Sequence, residues 1–106
     1  MPALSGSYKP QLTTGAKTPK ITNLVFPTSG TEENLSLQTG LRQLIIRSRG
    51  TAKLQFSFVS GESSTKFMTV PKNATFCMDA LEFSGKILYI QADADGGIAE
   101  ILELYT

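Results

Sequence analysis

The 106-residue chain contains no histidine and no tryptophan, and only one cysteine. The missing histidine removes the commonest general base and the commonest zinc ligand. Cys77 has no thiol to pair with inside the chain. It also lacks the neighbouring imidazole that would activate a nucleophile, so the expectation for it is a small buried apolar side chain. No apolar run approaches the roughly 20 residues of a membrane helix. The opening MPALSGSYKP has no apolar stretch that could form a signal-peptide core. Synthesis in a cytoplasm without ordinary export is expected, and the acceptor-like triplets at Asn34 and Asn73 then carry no meaning.

Charge is also sparse, at 18% of residues, and the net charge is +1. That value favours neither nucleic acid nor a membrane surface as a partner. The charges are unevenly placed. The first 31 residues hold three lysines (Lys9, Lys17, Lys20) and no acid, whereas the remainder holds seven basic and nine acidic residues. A basic leading segment precedes a slightly acidic body.

Residues 1–20 contain three prolines and two glycines and show no periodicity. Such a segment cannot bury enough surface to offset the entropy of ordering it. It reads as an extended basic arm, and residues 21–106 as the folded domain. In an extended arm Leu4, Tyr8 and Leu12 are spaced to enter separate pockets on a neighbour, with Lys9, Lys17 and Lys20 beside them. The other reading is a loose terminus.

From Ile21 on, short alternating stretches are separated by turn residues. The cleanest is Ala52–Phe58, where Ala52, Leu54, Phe56 and Phe58 fall on one side and Lys53, Gln55 and Ser57 on the other, the period of a half-buried strand. With Leu41–Arg49 it reads as a hairpin turning at Arg49-Gly50-Thr51. Ile21–Phe26, Lys66–Val70, Thr75–Met78, Lys86–Ala92 and Gly97–Tyr105 are further strands. Asp79–Phe83 fits either one helical turn or a bulged connection. Turn signals at this spacing point to an all-β antiparallel sandwich of seven or eight strands, close to a small jelly roll. A body this small is marginal alone, which favours burial against a partner.

Three clusters could carry chemistry. Asp93-Ala-Asp95-Gly-Gly97 suggests a calcium loop but lacks the remaining ligands at the required spacing, so a turn is the simpler reading and no metal or cofactor is expected. Glu100 and Glu103 fall on opposite faces of the last strand and cannot act as a glycosidase pair. One of them points inward or toward a partner and needs a mate, with Arg42, Arg47 or Arg49 able to supply it. Arg47 and Arg49, flanking Ser48 near the presumed turn, could clamp an anion or touch a protein. Nothing here suggests an enzyme, a nucleic-acid surface or a small-molecule substrate.

Three stretches, IIRSRGTAKLQFSF, SGESSTKFMTVPKNATF and KILYIQADADGGIAEILEL, resemble a family of small virion proteins of tailed bacteriophages. The likeness rests on the TVP turn, the LYIQ strand and the terminal AEILE strand. It spans Leu44–Tyr105 and leaves the arm uncovered. It implies a β-sandwich accessory subunit on the capsid surface of the virion, a decoration or cement protein tying neighbouring major capsid subunits together, as a homo-oligomer (dimer or trimer). A tail, neck or baseplate component is the alternative, and a carbohydrate-binding module a more distant one.

Overall fold

The computed structural model describes residues 18–106. Eight strands form among them: β1 (Thr18–Phe26), β2 (Glu33–Ser36), β3 (Leu41–Arg49), β4 (Leu54–Ser57), β5 (Met68–Val70), β6 (Thr75–Asp79), β7 (Ile87–Ala92) and β8 (Gly97–Tyr105). They make two four-stranded antiparallel sheets, ordered β1-β8-β3-β6 and β2-β7-β4-β5. The antiparallel pairs β1–β8, β2–β7, β3–β6 and β4–β5 show the logic of the winding. The chain is one long hairpin with its tip between β4 and β5, rolled up so that successive pairs alternate between sheets. That is a jelly roll, and the expected fold class holds.

The expected hairpin at Arg49-Gly50-Thr51 does not form. β3 and β4 lie in different sheets, and β3 pairs instead with β6 and β8. Gly50, at φ 104°, turns the chain across the edge of the sandwich, a conformation suited to glycine. Ser48 holds the corner: its hydroxyl donates to the Ala52 carbonyl at 2.6 Å and its N–H to the Ala74 carbonyl at 3.0 Å. Alternation dictates which face of a strand is apolar but does not dictate its neighbour, so a sheet-crossing corner and a hairpin look alike in sequence. Among the described residues, β4 and β5 are the only strands consecutive in sequence that pair with one another.

Face assignments fare better. Ala52, Leu54 and Phe56 are buried in the shared core, and Phe58 packs against it. Leu88, Ile90 and Ala92 of β7 point inward, meeting Leu44 and Ile46 from β3 and Ile101 from β8. Phe56 lies 5.1 Å from Phe76 and 5.9 Å from Phe58, between ring centroids. At one end the sheets converge on small residues. A Cβ on Gly97 would come within 2.7 Å of the Ala92 Cβ and 2.9 Å of the Ala52 Cβ, so only glycine fits.

Three further expectations are settled. Leu81–Phe83 is a 3-10 turn, which decides the ambiguous connection after β6. Cys77 is exposed, not buried. β6 is an edge strand whose Phe76 and Met78 face the core, so the residue between them faces out. Finally, β1 takes in Thr18–Lys20, three residues that the sequence reading placed in the arm.

Candidate interaction surface

The outward face of the β1-β8-β3-β6 sheet follows directly from its registers. Ile21, Leu102, Ile45 and Cys77 form one row across the four strands. Asn23, Glu100, Arg47 and Thr75 form the next, and Val25, Ile98 and Arg49 the one beyond. The first row is apolar throughout. Ile21 is 69% exposed and Val25 58%, both at the β1 edge. An open depression of about 370 Å³ is lined by Ile21, Ile45 and Leu102 on one side and Asn23, Arg47 and Glu100 on the other.

The two arginines of the sequence reading lie in β3, not in a turn, and both reach Glu100. Arg47 Nε stands 3.6 Å from Oε1 and Arg49 Nε 3.3 Å from Oε2. Arg47 is directly across from Glu100 in the β3–β8 register and Arg49 two residues further along the strand. Both guanidinium side chains are more than half exposed, so these pairs add little stability. Two cations around one carboxylate leave the centre of this face with a single excess positive charge beside its apolar row.

Glu103 is the inward carboxylate, fully buried. Its mate is none of the three arginines. Oε2 accepts the Gln38 N–H at 2.8 Å, and Oε1 has no hydrogen-bond partner among the described residues. For Arg47 and Arg49 the reason is geometric: β8 alternates, so arginines that face outward with Glu100 cannot reach a group on the inner face. Arg42 Nε is buried without a hydrogen-bond partner among the described residues.

The opposite sheet presents a different exterior. Its outward positions include Gln55 and Ser57 of β4 and Tyr89 and Gln91 of β7. The loop at the tip of the roll folds back over them. Ser63, fully buried, donates through its hydroxyl to Glu32, and lies 3.1 Å from Gln91 Oε1. Gln91 Nε2 donates to Gln55 Oε1 at 2.9 Å. Glu32 also accepts the backbone N–H groups of Gly61 and Ser63. The Ser63 hydroxyl, aided by those backbone donors, holds the Glu32 carboxyl below its usual value against a smaller opposing effect of burial.

The acidic turn is structural. Asp93 Oδ1 accepts the Lys53 N–H and Asp95 Oδ1 the Ser29 N–H, each at 2.7 Å. Each carboxylate ties down a different loop, and no cluster of three or more metal-ligating side chains occurs among the described residues. Of the residues singled out from sequence, Lys20 lies in β1 and Arg47 and Arg49 lie together on the outer face. Leu4, Tyr8, Lys9, Leu12 and Lys17 lie outside the described residues. Sequence reasoning missed Ile21, Ile45 and Leu102 as a surface. The signal was present in β8, where Ile98, Leu102 and Leu104 alternate with Ala99 and Ile101 and make the strand apolar on both faces.

No family model matches the chain, and no curated protein matches it. Solved structures do. A de novo designed double-stranded β-helix superposes with a TM-score of 0.54 at 11% identity, covering 79% of this chain and 96% of the other. The SPBc2 prophage-derived protein YomS superposes with a TM-score of 0.53 at 16% identity, covering 85% of this chain and 96% of the other. At such identities the likeness establishes the fold alone: an eight-stranded double-stranded β-helix, or jelly roll. One of these two neighbours is a prophage-derived protein.

Proposed function

We propose that this protein is a structural component of a phage virion, binding the outer surface of the capsid and tying neighbouring major capsid subunits together. The observation that carries the reading is the contrast between the two exteriors. One sheet is partly covered by the protein's own loop, which leaves Ile87 exposed. The other presents an apolar row, exposed at Ile21 and half-buried at Ile45 and Leu102, flanked by Arg47, Arg49 and Glu100. A cement protein needs a rigid body and an adhesive face rather than a reactive group. The resemblance of Leu44–Tyr105 to small virion proteins and the prophage origin of a protein sharing the fold support it.

In this reading the basic arm, with Leu4, Tyr8 and Leu12, adds a second contact to the body. Two linked contacts strengthen one another even when each is weak, and many copies on a symmetric shell multiply the gain. The partner is protein, and neither nucleic acid, membrane nor small-molecule substrate is required. No catalytic activity in free solution is expected.

The test is binding to capsids that lack the protein, read by co-sedimentation and by a map of the decorated particle. Hundreds of copies on the shell, and particles that resist disruption better once decorated, are the expected result. Removing residues 1–20 should weaken attachment; because this cut also takes Thr18–Lys20 of β1, a second variant lacking only residues 1–17 keeps the body intact. Unchanged attachment by the shorter deletion would take the arm out of the mechanism. Roughly a dozen copies at a vertex or tail would instead assign the protein to the neck or tail.

A further inference from the structure

We propose that two copies of this protein join through their β1 strands, antiparallel across a two-fold axis at Asn23, merging the two β1-β8-β3-β6 sheets into one eight-stranded sheet. The inference does not depend on the virion reading.

β1 is nine residues long and pairs along its whole length with β8 on one side. Among the described residues, nothing pairs with its other side, because β1 ends its sheet. A long edge strand offers a row of backbone donors and acceptors to another strand, and proteins usually blunt such edges with charge, bulges or short length. The other three sheet edges are shorter: β6 has five residues, β2 four and β5 three. β1 has no bulge in its register with β8, and between Ile21 and Phe26 it carries no charge.

The occupant and the register follow from three features. First, Pro19 and Pro27 bracket the segment Lys20–Phe26. Proline has no N–H to give to a neighbouring strand and is tolerated only at the ends of such pairing. Centring the two-fold on Asn23 sets Pro19 opposite Pro27 of the other copy, and every residue between them opposite a residue that has its N–H. Shifting the pairing by two residues in either direction sets a proline opposite Val25 or Ile21 and shortens the proline-free paired segment.

Second, this register places Ile21 of each copy opposite Val25 of the other. These residues are 69% and 58% exposed and belong to the outward face. Pairing brings the four exposed apolar side chains together as two cross-strand pairs flanking Asn23, and each Ile21–Leu102–Ile45 row continues into the Val25–Ile98 row of the other copy. The contact is isologous, as a closed dimer requires.

Third, the charges match at both ends. Lys20 of one copy stands opposite Phe26 of the other. Phe26 is paired with Gly97, and its carbonyl accepts the Gly96 N–H at 2.8 Å. The incoming lysine therefore arrives beside the turn bearing Asp95, which has no ion-pair partner among the described residues. The lone cation of the β1 segment is thus placed by the same register against an acidic turn, twice per dimer.

Sedimentation of the full chain should show a concentration-dependent monomer–dimer equilibrium, and Ile21→Lys should shift it to monomer while leaving the thermal unfolding of the monomer unchanged. The register is tested by cross-linking in a Cys77→Ser background. Asn23→Cys sets two thiols face to face across the axis, within the Cα separation that a disulfide tolerates. It should give a covalent dimer on oxidation, whereas Ile21→Cys, opposite Val25, should not. A chain that stays monomeric at every concentration overturns the proposal. So does a dimer insensitive to Ile21→Lys, or one in which Ile21→Cys cross-links as readily as Asn23→Cys. A monomer that begins to dimerise only after residues 1–17 are removed also overturns it, by assigning the edge to the protein's own N-terminal segment.

Discussion

The two sheets of this jelly roll share one core and have opposite exteriors. Outside the β2-β7-β4-β5 sheet, a polar chain runs from Glu32 through Ser63 and Gln91 to Gln55, and the loop between β4 and β5 lies over it. Outside the β1-β8-β3-β6 sheet, Ile21, Leu102 and Ile45 form an apolar row with no loop over it among the described residues. The first exterior is largely taken up within the chain: its polar groups satisfy one another and hold a loop, with Ile87 left exposed beside them. The second is less finished, with Ile21 and Val25 exposed at the sheet edge and Ile45 and Leu102 half-buried at its centre. Exposed apolar patches of this kind are where partners bind. A small body with limited core gains most from a partner at such a face.

The largest effect tests the premise that the two sheets share a core. Phe56→Asp should unfold the domain. Truncating a buried phenylalanine costs about 3–5 kcal/mol, and a buried unpaired carboxylate adds to that, so the total approaches the whole stability of a typical small domain, about 5–15 kcal/mol. Far-UV circular dichroism and the loss of a cooperative melting transition would show it. A folded Phe56→Asp variant would mean that Phe56 is not in the shared core.

An intermediate effect should appear on the covered side alone. The Glu32 carboxyl titrates below its usual value in the folded state, so the stability it gives the loop is complete above the ordinary glutamate pKa. That stability is lost as pH falls through the lower folded value. Amide exchange at Gly61 and Ser63, corrected for its intrinsic pH dependence, should therefore accelerate in acid. Glu32→Gln should show weakened protection at neutral pH and no such acid step. Equal protection in the variant and the native chain would detach the loop from Glu32.

The smallest effect belongs to the bare side. Ile21→Ser, at a position 69% exposed, should change monomer stability by no more than about 0.5 kcal/mol, measured by denaturant titration at dilutions where the chain is monomeric. A cost as large as that of a core truncation would mean that this face is already in use within the chain, and the contrast between the two exteriors would dissolve.

Much of the architecture was legible because a strand writes its faces into the sequence. Leu54 and Phe56 of β4, and Leu88, Ile90 and Ala92 of β7, face inward as their alternation says. The positive-φ glycines at positions 30, 40, 50, 61, 85 and 96 mark the turns between elements. The Asp93–Asp95 segment is the capped turn that its spacing suggested. Cys77 was misread because composition says that cysteine prefers the interior, while its position between Phe76 and Met78 on an edge strand decides otherwise. The double apolar alternation of β8 was visible but ambiguous, since a strand apolar on both faces can be buried on both or left bare on one.

By itself, then, the sequence determined the all-β class, most strand and turn positions, and the inward side of strands whose alternation is clean, such as β4 and β7. These depend on residues close together in the chain. Only the tertiary structure decided which strands are neighbours, and three consequences followed. The corner after Arg49 crosses between sheets instead of closing a hairpin. Arg47 and Arg49 meet Glu100, about fifty residues away, while Glu103 turns inward to the Gln38 N–H. And Ile21, Ile45 and Leu102, from three separate strands, come together as one row. Strand pairing is set by long-range competition for a common core and by satisfaction of backbone hydrogen bonds, and neither is written in any local stretch of the chain.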